Sequence, residues 1–469
     1  MKICMIAEGS YPYVTGGVSS WIQMLIRNMP EHEFIIFAIG AEAKSRGKFS
    51  YRLPENVIDV KEVFLDDVAD QNGAKSIKFE MNNDNYEAIK SLITGRNFDW
   101  ENLFSIVSEN RIKDINGFLK CKDFFKAMVE AYNDKYSGIP FLKYFWNARS
   151  MLFTLFSAIM ERCPEADLYH SVSTGYAGVI GSIAKYIYKK PFVITEHGIY
   201  TREREEDIIK SRWIDGNLKD MWINFFYSLS KCAYDSADKV ITLFERNREL
   251  QVELGCDKIK TEIIPNGVNV NNFKGITTKN ENDESINIGA VVRITPIKDI
   301  KTMIQSFSLV KEEIGNAVLY IMGPWDEDEE YYKECQELIA ANTINDIHFT
   351  GKVNIKDYIG KMDLLLLTSI SEGQPLAILE GMACSKPFVS TNVGSCQELL
   401  YGKNDSYGMA GFVAPVMNYE MIAENIISLC KNKALRHEMG KNAFKRVSTI
   451  YTEEHFISKY KELYSSFRR

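Results

Sequence analysis

Short apolar runs, each followed by a glycine-containing loop and a segment of helical period, alternate at both ends of this chain. The first unit reads KICMIAEG, the loop SYPYVTGGV, the helical SSWIQMLIRNM and the apolar EFIIFAIG. These runs are apolar at successive positions rather than at every second one, which fits strands buried on both faces of a parallel sheet. The pattern resumes with DLYHSVS, a helix in GVIGSIAKYIY, and the strands PFVITEHG, KVITLF and TEIIPNGV. A second series runs from INIGAVVRI through a helix in IQSFSLVKEEI, NAVLYIMGP, a helix in YYKECQELI, IHFTGKV and DLLLLTSI to SEGQPLAILEGMACSKPFVST. The implied fold class is α/β, with two Rossmann-like domains in series.

Two stretches break the rhythm. Residues 41 to about 165 carry charged and aromatic helical segments such as KDFFKAMVEAYNDKY and read as a helical insertion in the first domain. GITTKNENDES has no apolar period and reads as the interdomain linker. The first domain is therefore expected over residues 1–273 and the second over 274–446, with helices closing the chain.

A chain of 469 residues, 45% hydrophobic and 25% charged, can build more than one core. Its net charge of −7 argues against a protein made to bind nucleic acid. Nine scattered cysteines without a C-x-x-C pair fit reduced thiols rather than a disulfide framework or a zinc site. Lys2 leads directly into a strand, leaving no room for a signal peptide, so the expected location is the cytoplasm. The long apolar stretch SMLFTLFSAIM lies between Arg149 and Glu161 and is too short to span a bilayer.

The segment with most chemistry holds Glu372 and Glu380. Pro375 suits a helix start, an apolar run follows, and Lys386-Pro387 stops the helix. Glu372 then lies in the loop and Glu380 projects from the early turns, while the free N–H groups of the helix start offer an anion site. A phosphate there, with hydroxyl-bearing rings beside each carboxylate, suits a nucleotide sugar. Gly16-Gly17 lies between the first strand and helix, where missing Cβ atoms admit a ligand; a plain flexible turn reads the same way. The loop lacks the G-x-G-x-x-G of a dinucleotide enzyme. Arg293 and Lys298 follow the first strand of the second domain, and His197 ends a strand of the first, at the sheet edges where open α/β folds bind ligands. His170, from the neighbouring strand, and Arg202 and Arg204 are further candidates for an acceptor or a diphosphate. Asp326-Glu327-Asp328 contains D-x-D, yet acids entering a helix after Gly323-Pro324 complement its dipole, and no cluster has metal-ligand spacing.

SEGQPLAILEGMA resembles the E-x7-E motif of the retaining glycosyltransferases of family four, which have the GT-B architecture of two facing Rossmann-like domains. The resemblance implies that Glu372, Gly373, Gln374 and Leu376 hold donor sugar and phosphate, and that Glu380 holds the ribose. It further implies that Gly16, Gly17, Arg293 and Lys298 face the diphosphate, that His197 faces the sugar, and that residues about 447–469 pack back on the first domain. AVVRITPIKDI departs from the family pattern at Val292 and Asp299, where glycines are usual. EGSYPYVTGGVSSW and TEHGIYTRER, taken with that motif, are similar to the PelF-like branch of family four, the glycosyltransferases of Pel exopolysaccharide synthesis. That similarity implies a UDP-sugar such as UDP-glucose, transfer of a hexose or N-acetylhexosamine to a growing biofilm polysaccharide, and work beside an inner-membrane complex. No cofactor and no metal are expected, because Arg293 and Lys298 already flank the diphosphate and no ligand cluster is present in the sequence. A non-catalytic nucleotide-binding scaffold and a UDP-sugar 2-epimerase stand as alternatives.

Overall fold

Among the described residues seven strands pair into one parallel sheet: β1 Lys2–Glu8, β2 Glu33–Gly40, β3 Val57–Phe64, β4 Leu168–Ser171, β5 Phe192–Glu196, β6 Lys239–Thr242 and β7 Thr261–Ile263, in the order β3-β2-β1-β4-β5-β6-β7. Six more form a second: β8 Ile286–Val291, β9 Ala317–Met322, β10 Ile347–Gly351, β11 Leu364–Leu367, β12 Phe388–Thr391 and β13 Gly411–Ala414, in the order β10-β9-β8-β11-β12-β13. This computed structural model describes residues 1–66, 81–95, 98–108, 112, 115–280, 282–403 and 405–468. The chain divides into two units, the first comprising Met1–Thr242, Asn247–Ile263 and Leu463–Arg469, the second Leu243–Arg246 and Ile264–Glu462.

In the first unit Ile3, Cys4, Met5 and Ile6 are all fully buried, as a strand covered on both faces requires. Chain order reverses between β1 and β4, which pair directly from Ile3–Leu168 to Ile6–Ser171. The expected insertion is helical only in part. Its early portion contributes β3, which pairs with β2 alone and leaves Ile58 and Asp59 exposed; an edge strand carries polar residues, and that polarity hides it in the sequence. Residues 67–80 of the insertion lie outside the described residues. Helices follow at Asn83–Thr94, Trp100–Ser108, Ile115–Leu119, Lys122–Ala131 and Phe141–Met160. The last turns Tyr144, Ala148, Met151, Leu152, Leu155, Phe156 and Ile159 inward, a spacing of three and four that makes one buried stripe.

The second unit begins after Ile263, earlier than the expected boundary at 273. Val268 forms a parallel bridge with Thr452, and the Val268 N–H donates to the Tyr451 carbonyl, which ties the PNGV loop to this unit. The expected linker also belongs here, because Lys279 Nζ pairs with Asp363 Oδ2 at 2.8 Å. Of the expected return segment 447–469, only Leu463–Arg469 groups with the first unit. Arg446 is fully buried and satisfied by both oxygens of Asp405 and by the carbonyls of Leu399, Leu400 and Gly408. Among the described residues no helix is long and apolar enough to cross a membrane.

Candidate functional site

In the second sheet, chain order reverses between β8 and β11, and open parallel sheets bind ligands outside the carboxyl ends of strands at such a reversal. The loops leaving those two strands are stitched together: the Ile370 N–H donates to the Ile297 carbonyl, and Thr368 Oγ1 donates to the carbonyls of Lys298 and Asp299. Lys298 Nζ thereby comes to 2.6 Å from Glu372 Oε1, which also accepts from Ser369 Oγ at 2.6 Å. Both partners are largely buried, with side-chain exposures of 16% and 12%. Arg293 reaches the same edge but stays exposed, its Nη1 donating to both oxygens of Glu327 at 2.9 and 2.7 Å.

The departures from the family pattern have local explanations. Asp299 takes the left-handed conformation, at φ 47°, that a glycine would occupy without strain. Its carboxylate accepts from the Thr302 N–H and caps the helix Ile300–Glu313 rather than facing a diphosphate. Val292 is buried and its N–H donates to the Met322 carbonyl.

The loop after β11 is held from below. Gly394 lies at φ 52°, and a Cβ there would come within 2.1 Å of the Gly373 carbonyl oxygen and 2.4 Å of that of Glu372, so only glycine permits this approach. The Ser395 N–H donates to the Gly373 carbonyl, and buried Gln374 accepts the Asn266 N–H on Oε1. Gln374 thus fixes the loop with its side chain. Pro375 precedes the helix Leu376–Ala383 instead of opening it, and the N–H groups of Leu376 and Ala377 in the first turn have no intrahelical acceptor. Glu380, one turn further, is half-buried, and burial pushes its carboxyl up to about 7 against the opposing pull of Lys356.

Of the acidic run, Asp328 Oδ1 accepts from the Tyr331 N–H and caps the helix Glu329–Ala341, while Glu327 holds Arg293. Among the described residues no group of three or more His, Cys, Asp or Glu could hold a metal ion.

At the corresponding edge of the first sheet, Gly16 and Gly17 begin the helix Gly17–Arg27, and a Cβ on either would meet nothing within 4 Å. Trp21, one turn in, packs edge-on against His197 with ring centroids 4.8 Å apart. Burial lowers His197 to about 4, so it is neutral near pH 7, and its Nε2 is buried with no partner among the described residues. On the helix Tyr200–Lys210, Arg202 is exposed, whereas Arg204 lies over the Tyr200 ring at 5.5 Å and pairs with Asp207 at 3.3 Å. His170 is not part of this edge. It is fully buried, with Nδ1 2.7 Å from the Tyr464 hydroxyl and Nε2 2.8 Å from Thr195 Oγ1, and burial holds it near 3. A strand-interior histidine cannot be distinguished from an edge one by residue type alone, and here both ring nitrogens are occupied within the core.

Sequence reasoning missed two carboxylates. Glu8 ends β1 and accepts from the Ala177 N–H, Ser173 Oγ and Tyr200 hydroxyl. Glu196 accepts from Thr174 Oγ1, the Tyr200 N–H, the Tyr234 hydroxyl and Gln251 Nε2 while fully buried, and so anchors the turn carrying His197. Acids closing strands TE and AE were the available signal. Their partners are distant in sequence. Ser369, three residues before Glu372, was likewise legible only by spacing.

Residues 1–259 match the family described as "Domain of unknown function (DUF3492)", and residues 273–446 match "Glycosyl transferases group 1". An uncharacterized glycosyltransferase of Methanocaldococcus jannaschii is 26% identical over 362 residues, covering 76% of this chain and 91% of that protein. The N,N'-diacetylbacillosaminyl-diphospho-undecaprenol alpha-1,3-N-acetylgalactosaminyltransferase of Campylobacter jejuni is 27% identical over 267 residues, covering 54% of this chain and 67% of that one. Among solved structures, the Anabaena protein HepE in complex with UDP superposes with a TM-score of 0.62 at 16% identity, covering 99% and 100% of the two chains, a likeness of fold.

Proposed function

This chain belongs to the DUF3492 family and is a glycosyltransferase of GT-B fold, and from that premise we propose that it transfers a hexose or N-acetylhexosamine from a UDP-sugar to a growing exopolysaccharide. The observation that carries the reading is the Lys298–Glu372 pair at the β8/β11 reversal, on the loop that leads into the helix start at Leu376 and Ala377, whose N–H groups have no intrahelical acceptor, with Glu380 one turn along that helix. A cation, an anion-binding helix start and two carboxylates are the groups that a diphosphate joined to two polyols needs. The solved complex of HepE with UDP supports UDP as the nucleotide.

In the reaction as proposed, the bond between the anomeric carbon and the diphosphate oxygen breaks. A bond to the acceptor oxygen forms on the same face, and the acceptor proton passes to the departing phosphate, leaving UDP. The anomeric configuration is retained. Lys298 and Arg293 stabilise the charge gathering on UDP, Glu372 and Gly373 hold the sugar, and Glu380 accepts from the ribose. Neutral His197 offers a hydrogen bond rather than a charge. Glu327 and Asp328 are engaged in an ion pair and a helix cap, which supports a reaction without a divalent metal. The Pel-type, biofilm-matrix assignment and work beside a membrane synthesis complex rest on the motif similarity.

A thermal-shift panel of UDP-, ADP- and GDP-sugars tests the donor class. Stabilisation by UDP-sugars alone is expected; stabilisation only by another nucleotide's sugars contradicts it.

A further inference from the structure

Large apolar side chains scattered singly on a surface need no explanation, but a contiguous group does. In the first unit, Phe125 is 49% exposed, Leu142 68%, Trp146 60% and Trp213 70%. They form one face. The Phe125 ring lies 6.0 Å from that of Phe145, which lies 5.5 Å from Trp146. Leu142 and Trp146 are one turn apart on the helix Phe141–Met160. Trp213 joins them through Trp222, whose ring is 5.7 Å away and whose Nε1 donates to Asn147 Oδ1 on that helix. Lys143 on the same helix pairs with Asp215 at 2.6 Å.

The charge around this face runs against that of the chain. From Lys135 to Met160 there are three cations and no acidic residue, in a protein of net charge −7. Lys122 and Lys126 are exposed on the neighbouring helix, and the Arg149 guanidinium lies over the Trp146 ring at 5.8 Å. The nearby acids are engaged, two of them by cations of this rim: Asp215 by Lys143, Glu130 by Lys90 at 3.5 Å and Lys126 at 3.9 Å, Asp134 by Lys90 at 2.9 Å, and Asp123 by the Met81 N–H. Exposed indoles and a leucine, rimmed by cations on long apolar stems, match the interface of a bilayer: rings at headgroup depth, ammonium and guanidinium groups at the phosphates.

We propose that this face of Phe125, Leu142, Trp146 and Trp213 docks the protein on an anionic lipid bilayer. The chain then carries its own membrane contact, independent of the donor it uses. Surface anionic lipids attract such a cation rim within about a Debye length, and the apolar tips supply the rest.

The test is co-sedimentation of the full chain with phosphatidylcholine vesicles containing about one-quarter phosphatidylglycerol, beside vesicles of phosphatidylcholine alone. Binding to the anionic vesicles is expected, weakened about tenfold or more by Leu142→Glu with Trp146→Glu and unchanged by Ile259→Glu, which alters an isolated exposed side chain. Brominated lipid should quench tryptophan emission of the wild type, and Trp146→Phe with Trp213→Phe should lose that quenching while still sedimenting. This second readout does not depend on the glutamate variant folding. No binding to anionic vesicles, equal binding by the Leu142→Glu/Trp146→Glu protein, or a stable dimer whose interface is this face would overturn the proposal.

Discussion

Lys298 Nζ lies 2.6 Å from Glu372 Oε1, and the two side chains bury each other at the β8/β11 reversal. Two groups assigned to different parts of the donor are therefore partners in the free protein. A donor entering here would have to exchange that ion pair for contacts of its own.

Charge builds on the diphosphate only as the glycosidic bond breaks, so a cation matched to it acts more on turnover than on binding. Lys298→Ala and Arg293→Ala should each lose about 2–4 kcal/mol in kcat with a smaller change in KM. Lys298→Arg should not be neutral, since a planar fork does not replace a compact ammonium beside Glu372. Steady-state kinetics on variants shown to be folded by circular dichroism decides this; near-normal kcat would leave Lys298 a structural partner of Glu372 and Arg293 an exposed partner of Glu327.

Glu380 gives a pH dependence of known sign. Its carboxyl is raised from 4.5 to about 7 in the folded protein, so its stabilising contribution is complete below about 4.5 and is lost as pH rises through about 7. Glu380→Gln should therefore melt higher than wild type above that range. Ribose hydroxyls donate better to the ionised form, so wild-type affinity for a UDP-sugar should tighten from about pH 6 to about pH 8 and that of Glu380→Gln should not. Glu380→Ala should cost about 1.5–3 kcal/mol of UDP binding. Titration calorimetry showing parallel pH profiles and unchanged UDP affinity would remove Glu380 from the ribose.

The acidic run separates a metal role from a structural one. Activity should survive EDTA, and Asp328→Ala should lower stability by about 1 kcal/mol through loss of its cap while leaving kcat near normal. Loss of activity in EDTA, restored by manganese, would contradict both the engaged-acid reading and the proposed metal independence.

His170 belongs to the core. Tyr464→Phe removes one of its two ring partners and should cost about 1 kcal/mol in denaturant unfolding, with donor affinity unchanged. A selective effect on donor or acceptor kinetics would restore His170 to the site.

The two sheets were legible because covered parallel strands write themselves as continuous apolar runs, and the helix after Glu372 because proline and an apolar run mark its start. β3 was not, since three of its eight residues are charged and it lies at a sheet edge. The unit boundary was hidden because Lys279 and Val268 are tied to Asp363 and Thr452, far away in sequence. Asp299 read only as a departure from a position where glycine is usual, and its left-handed backbone and its bond from the Thr302 N–H reveal a helix cap. The four donors to Glu196 span residues 174 to 251, and no local pattern announces them.

Sugar transfer itself is tested most directly by following UDP release and sugar incorporation together, with purified protein, a membrane extract as acceptor source, and UDP-glucose, UDP-N-acetylglucosamine or UDP-N-acetylgalactosamine as donor. One of these donors should release UDP in step with incorporation into polymer, and Lys298→Ala should slow both together by about 30- to 1,000-fold. Tight UDP-sugar binding without UDP release would leave a nucleotide-binding scaffold, and interconversion of UDP-sugars without net release would make the protein an epimerase; either result contradicts the account.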